Sequence, residues 1–234
     1  MNEQTTDETS AEVRRRRTSR RRFLALAGGG VAVLALVGAG GLAIGLHEPT
    51  PEHPSAEYGK GDRMAGKILV TYATKCGSTG EVAAEVAKVL AAAGRAVELR
   101  PLSAVKDLSL YESVVLGSAV RMGALLSEAQ DFVRKNGASL AKMPTAYFAL
   151  CTTMKKDTPA NRETAAGFFK PLRAVKEPVS VAAFAGKLDY SRIGPVWRFI
   201  ASRDKSGDME EGDFRDWAAI RAWVQALPPL LAGG

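Results

Sequence analysis

From position 67 to the C-terminus, short apolar runs rich in β-branched and aromatic residues alternate with longer stretches of helical period. Residues 67–72, 96–100, 113–118, 145–150 and 179–184 read as strands. Several of these runs stay apolar at consecutive positions, which belongs to a sheet covered on both faces, and the helical stretches between them supply the cover. The pattern therefore predicts an α/β fold with a doubly wound, five-stranded parallel sheet over residues 67–234.

The helices carry their own punctuation. Val82, Val86, Val89 and Leu90 give the first one apolar side, and Gly94 ends it. Ser127 with Gln130 has the spacing of a capping box, and Thr158 before Pro159 places a cap ahead of a first-turn proline. Trp217, Ile220, Val224 and Leu227 form a stripe at helical spacing, read as packing against the sheet.

The N-terminal part has a different character. Residues 1–22 are polar, with seven arginines among positions 14–22, and residues 23–46 run without a charge, long enough to cross a bilayer as one helix. Ser19, Arg20, Arg21, Arg22, Phe23, Leu24 and Ala25 resemble a twin-arginine export signal. With the arginines on its N-terminal side, the segment is expected to act as a signal or anchor that puts the domain on the extracytoplasmic face. Residues 47–66, with Pro49, Pro51, Pro54, Gly59 and Gly61, read as a flexible linker.

Composition narrows the chemistry. The chain is 46% hydrophobic and 24% charged, as a globular protein is, and its net charge of +7 owes much to the arginine cluster. No basic face with interleaved aromatics is visible, so nucleic acid is not an expected partner. Cys76 and Cys151 have no metal-site spacing, and both histidines, His47 and His53, precede the domain. Histidine-based triads and His-ligated metals are therefore excluded from the expected chemistry, and no metal site is expected.

In a doubly wound sheet ligands sit beyond the carboxyl ends of the strands. After the first strand come Thr74, Lys75, Cys76, Gly77, Ser78 and Thr79, and then a helix. Backbone N–H groups at a helix start favour an anion, Gly77 lets the chain close tightly, and three hydroxyls add donors. Neither the Walker loop nor the dinucleotide glycine fingerprint is present. Cys76, at a helix start, is a place where a thiol pKa is expected to fall.

Tyr72, Ala73, Thr74, Gly77 and Thr79, followed by Ala83 and Val86, resemble the flavodoxin signature, which implies FMN as cofactor and the strand order 2-1-3-4-5. More widely, Val114 to Gly123, Asp131 to Lys135, Met143 to Phe148 and Ala185 to Leu188 resemble the menaquinone-dependent protoporphyrinogen IX dehydrogenases of the flavodoxin superfamily. The resemblance thins between Tyr190 and Phe214, where that family carries a longer insertion. It implies an FMN oxidoreductase that passes electrons from an organic donor to a membrane quinone or another redox partner. It also implies that Thr74, Lys75, Cys76, Gly77, Ser78 and Thr79 hold the phosphate. Ser118, Ala119, Val120, Arg121, Met122 and Gly123, together with Cys151, Thr152 and Thr153, would flank the isoalloxazine ring.

These ring-flanking segments offer neither aromatics nor acids, but they do carry Arg121, Met122, Met154, Lys155 and Lys156. A positive charge about 8 Å from the ring, at an effective dielectric of about 20, stabilises an added negative charge by roughly 2 kcal/mol, on the order of 90 mV. The expectation is a cofactor potential above that of a carrier flavodoxin. A non-catalytic electron carrier and a flavin-free binding module remain as alternative readings, and the sequence supplies no residue with a catalytic acid or base role.

Overall fold

The computed structural model describes residues 53–59, 66–194, 198–199, 201–203 and 210–232. The export-signal residues and the apolar run 23–46 lie outside the described residues, among which no helix is long and apolar enough to cross a membrane.

Seven strands build the main sheet: β1 (Ala56–Tyr58), β2 (Lys67–Ala73), β3 (Val97–Pro101), β4 (Tyr111–Arg121), β5 (Ala124–Leu125), β6 (Thr145–Cys151) and β7 (Ser180–Ala185). They lie in the order β1-β3-β2-β4-β6-β7, with β5 paired to β4 alone. The five long strands β3, β2, β4, β6 and β7 are mutually parallel, and counted by themselves they run 2-1-3-4-5. A separate antiparallel ribbon joins β8 (Lys187–Leu188) to β9 (Gly212–Asp213).

Both faces of the sheet are covered. Helices α1 (Ser78–Ala92), α6 (Trp217–Gln225) and α7 (Pro228–Leu231) set Val82, Val86, Leu90, Ile220, Val224 and Leu231 against Ile68, Val70, Tyr72 and Phe148. On the other face, Phe132 and Val133 of α2 (Ser127–Lys135), with Phe169 and Leu172 at α5 (Lys170–Arg173), cover Leu69, Leu116 and Tyr147. Two further helices are α3 (Gly137–Leu140) and α4 (Pro159–Gly167). Successive residues of β2 thus enter opposite cores, which is why the strand is apolar without alternation. Burying each such side chain is worth about 1.5–3 kcal/mol. Gly117 on β4 stands beside Phe148 on β6, and a carbon added to it would lie 2.1 Å from Phe148 Cζ, so the ring occupies the place of the missing side chain.

Several elements depart from the sequence reading. Strands β3 and β7 are displaced by one residue, and β4 extends to Arg121 because it continues into a hairpin with β5. Part of the expected linker is the edge strand β1, antiparallel to β3; three residues are too few to display a period. His53 stacks on Tyr72 at 6.5 Å, and Tyr72 Oη donates to the Pro54 carbonyl at 2.9 Å, so this stretch is packed onto the domain. The expected capping box does not form. Leu126 occupies the cap position of α2, while the Ser127 hydroxyl binds Glu128 and Gln130 Nε2 donates to the Leu125 carbonyl. The cap at Thr158 does form, its hydroxyl accepting from the Asn161 N–H at 3.2 Å. α1 is followed by Gly94 at φ 84°, and Ile220, Val224 and Leu227 of the C-terminal stripe are fully buried.

Candidate functional site

The order of the parallel strands reverses between β2 and β4, and the chain segments that leave their carboxyl ends meet around one cavity of about 310 Å³. That is within the size range of cofactor sites, roughly 300–1,000 Å³.

At one end lies the loop from β2 to α1. Gly77 precedes the helix at φ 89°, a left-handed conformation that glycine adopts without a side-chain clash. Its N–H donates to Thr74 Oγ1 at 2.9 Å, and the first helical bond runs from Glu81 N to Gly77 O. The N–H groups of Ser78, Thr79 and Gly80 therefore precede the helical ladder, and no side chain caps them. Thr74, Lys75, Cys76 and Ser78 line the cavity. Thr79 does not line it, yet its hydroxyl is fully buried and has no hydrogen-bond partner among the described residues. An uncapped helix start with an orphaned hydroxyl suits a phosphate, which accepts from several donors at once.

The opposite walls come from other strands. Ala119, Val120 and Arg121 of β4 and Met122 of the following turn line the cavity, as do Cys151 at the end of β6 and Thr152 after it. Met122 and Gly123 form a two-residue turn with φ values of 53° and 76°, the geometry that matches strand twist. Met122 is 86% exposed, so its side chain stands at the cavity mouth. Burial pushes the Cys151 thiol pKa up, against hydrogen bonds from Met154 and Thr153. No disulfide joins it to Cys76.

Gly77, Thr79, Ser118, Gly123 and Thr153 were expected at the cofactor but do not line the cavity. The Ser118 Oγ accepts the Leu126 N–H at 3.1 Å and donates to the Ala119 carbonyl, fixing the start of α2. Met154 lines a neighbouring groove along β7, and Lys156 is exposed outside the cavity. Both were expected beside the ring.

The sequence reading missed the third wall. Gly186, Lys187, Leu188, Ile193, Glu210 and Phe214, in and around the β8–β9 ribbon, face the same cavity, as do Leu126 and Leu150. An aromatic and an acid thus stand where neither was expected. The cavity lysines have carboxylate partners: Lys75 binds Glu128 at 2.5 Å, Lys155 binds Glu210 at 3.2 Å, and Lys187 lies 3.8 Å from Asp189. The hydrogen bond from Lys75 holds the Glu128 carboxyl below its ordinary pKa.

The chain is similar to known proteins over much of its length. Protoporphyrinogen IX dehydrogenase [quinone] of Escherichia coli (strain K12) is 27% identical over 175 residues, covering 70% of this chain and 96% of that protein. The Leishmania major protein of the same name is 27% identical over 180 residues, covering 70% of this chain and 75% of that protein. A solved flavodoxin from the domain Archaea aligns with a TM-score of 0.45 at 12% identity, covering 71% of this chain and 99% of that one. The family model described as "Flavodoxin domain" matches residues 69–209, more than half of the 234-residue chain. The chain belongs to the flavodoxin domain family.

Proposed function

We propose that this protein is an FMN-dependent oxidoreductase that takes electrons from an organic donor and delivers them to a quinone or another acceptor. The observation that carries the reading is the uncapped start of α1, with Thr74 and Ser78, at one end of a cavity whose other walls are largely apolar. FMN has that shape, a phosphate at one end and a flat ring at the other. Thr74, Ser78 and the loop N–H groups would hold the phosphate, and Ala119, Val120, Met122, Leu150 and Phe214 would enclose the ring.

When bound, FMN supplies the transfer of one or two electrons. This chain's residues orient it and exclude water: Leu126, Leu188 and Ile193 keep the walls dry, and Arg121 brings positive charge to the ring end. Because Lys155 and Lys187 are matched by Glu210 and Asp189, the rise in potential is smaller than an unpaired cation would give.

A protoporphyrinogen-like donor and a quinone acceptor follow from the likeness to the two dehydrogenases. Anchoring by residues 23–46, with the domain on the extracytoplasmic face, is part of the proposal and is supported by the sequence alone. The test is the visible spectrum of the purified full chain followed by a quinone-reduction assay. Bound flavin with turnover of a small quinone is the expected result. A colourless protein that takes up no added FMN overturns the reading, and turnover confined to a protein partner would make it a carrier.

A further inference from the structure

The phosphate loop and the β8–β9 ribbon form two walls of one cavity although more than a hundred residues separate them in the chain. The carboxylate of Glu81, in the first turn of α1, joins them. Its Oε1 accepts from Arg192 Nη1 at 3.2 Å and its Oε2 from Arg215 Nη1 at 2.7 Å. Arg192 follows β8 and Arg215 follows β9, so one carboxylate holds both arms of the ribbon. The same Arg192 nitrogen lies 3.5 Å from the Cys76 carbonyl, on the loop itself.

Each guanidinium is also fixed on the ribbon side. Arg215 donates to both oxygens of Asp213, at 2.8 and 2.6 Å, and its guanidinium carbon stands 4.5 Å from the centre of the Trp217 ring. Arg192 lies 3.7 Å from Asp189. The Arg215 side chain is only 5% exposed, so its charge depends on its two carboxylates instead of water. Glu81, Arg192 and Arg215 do not line the cavity, so their effect on a ligand is exerted through the walls they hold.

We infer that Glu81 is a positioning residue that seats the β8–β9 wall against the phosphate loop, coupling phosphate binding to enclosure of the ring. The inference rests on the FMN reading of the cavity. It deepens that reading by assigning the coupling to one side chain.

Two measurements on the full chain test it. The first is a double-mutant cycle of Glu81→Gln and Phe214→Ala, read as the FMN dissociation constant from flavin fluorescence. Phe214→Ala is expected to weaken binding about tenfold in the native background and less than about threefold beside Glu81→Gln, because an unseated wall no longer presents the ring. Glu85→Gln breaks the ion pair to Arg221 one turn further along α1 and is expected to leave the Phe214 effect at full size. An equal Phe214 effect in all backgrounds overturns the inference.

The second measurement needs no flavin: the rate of tryptic cleavage after Lys187 and after Arg215 in the cofactor-free protein. Glu81→Gln and Arg192→Met should each raise it about fivefold or more over Glu85→Gln, since local opening governs cleavage. Unchanged cleavage overturns the inference even if FMN fails to bind, whereas failure to bind FMN with accelerated cleavage overturns only the cofactor reading.

Discussion

The ammonium nitrogen of Lys155 stands 4.0 Å from the centre of the Phe214 ring, and the two side chains share the boundary between the candidate cofactor cavity and the groove along β7. Glu210 binds the same nitrogen at 3.2 Å, so a residue after β6 is tied by a pair of contacts to a residue two positions before β9 and to the one that follows it. The pairing fixes the outer wall of the cavity with one aromatic face and one neutralised charge.

Truncating that face should loosen the ligand. Phe214→Ala is expected to weaken FMN binding by about 1–2 kcal/mol, roughly tenfold, through lost aromatic area. Lys155→Met, which forfeits the cation–π contact but keeps the stem, should cost about 0.5–1 kcal/mol. Fluorescence titration measures both, and a Phe214→Ala protein with native affinity would remove the ring from this wall.

How much of this was legible in the sequence depended on distance along the chain. The phosphate loop was readable because Thr74, Gly77 and Ser78 lie between an apolar strand and a helix of clear period, all within a few residues. Phe214 and Glu210 were not readable, because two-residue strands leave no periodic trace and bring them to the cavity from far along the chain. Ser118 differs for another reason: its hydroxyl accepts the Leu126 N–H, a contact eight residues along the chain that no local pattern announces. The capping box at Ser127 failed likewise, since a hairpin between β4 and β5 delivers the chain to α2 with Leu126 already at the cap.

The orphaned hydroxyl of Thr79 gives a sharper test of the loop. Thr79→Val keeps the shape and removes only the oxygen, which has no partner to lose among the described residues. The cofactor-free protein should therefore be as stable as the native one or more so, while FMN affinity falls by about 1–2 kcal/mol if the hydroxyl serves the phosphate. Riboflavin, which lacks the phosphate, should bind both forms equally. Denaturant melts and paired titrations read the two effects, and an equal loss for riboflavin would assign the change to packing.

The two cysteines should differ in reactivity toward an alkylating agent. Cys151 is 3% exposed and its thiol pKa is raised by burial, so little thiolate forms near neutral pH. Cys76 is half-buried in the loop and lines the cavity. Mass spectrometry after iodoacetamide treatment should find Cys76 modified first, with saturating FMN slowing that reaction about tenfold or more by occupying the loop. Equal labelling with and without FMN would separate the thiol from the ligand.

Tyr72 links the end of β2 to the segment before β1, and its ionisation should be visible in stability at high pH. Its side chain is 1% exposed, its Oη donates to the Pro54 carbonyl at 2.9 Å, and burial raises its pKa to about 12. An unfolded tyrosine titrates near 10, so the unfolded chain loses this proton first. The stabilising contribution is therefore complete below pH about 10, declines as pH rises from about 10 to about 12, and is gone above that, with a limiting slope of about 1.4 kcal/mol per pH unit. Tyr147 and Tyr111 are raised by burial in the same direction, so the native protein sums several such slopes. Tyr72→Phe isolates one of them: its unfolding free energy from urea melts should be lower at pH 8 by about 1 kcal/mol, for the lost hydrogen bond, and should converge on the native value by pH 11. A constant gap between the two proteins across that range would mean that folding does not raise the pKa of Tyr72.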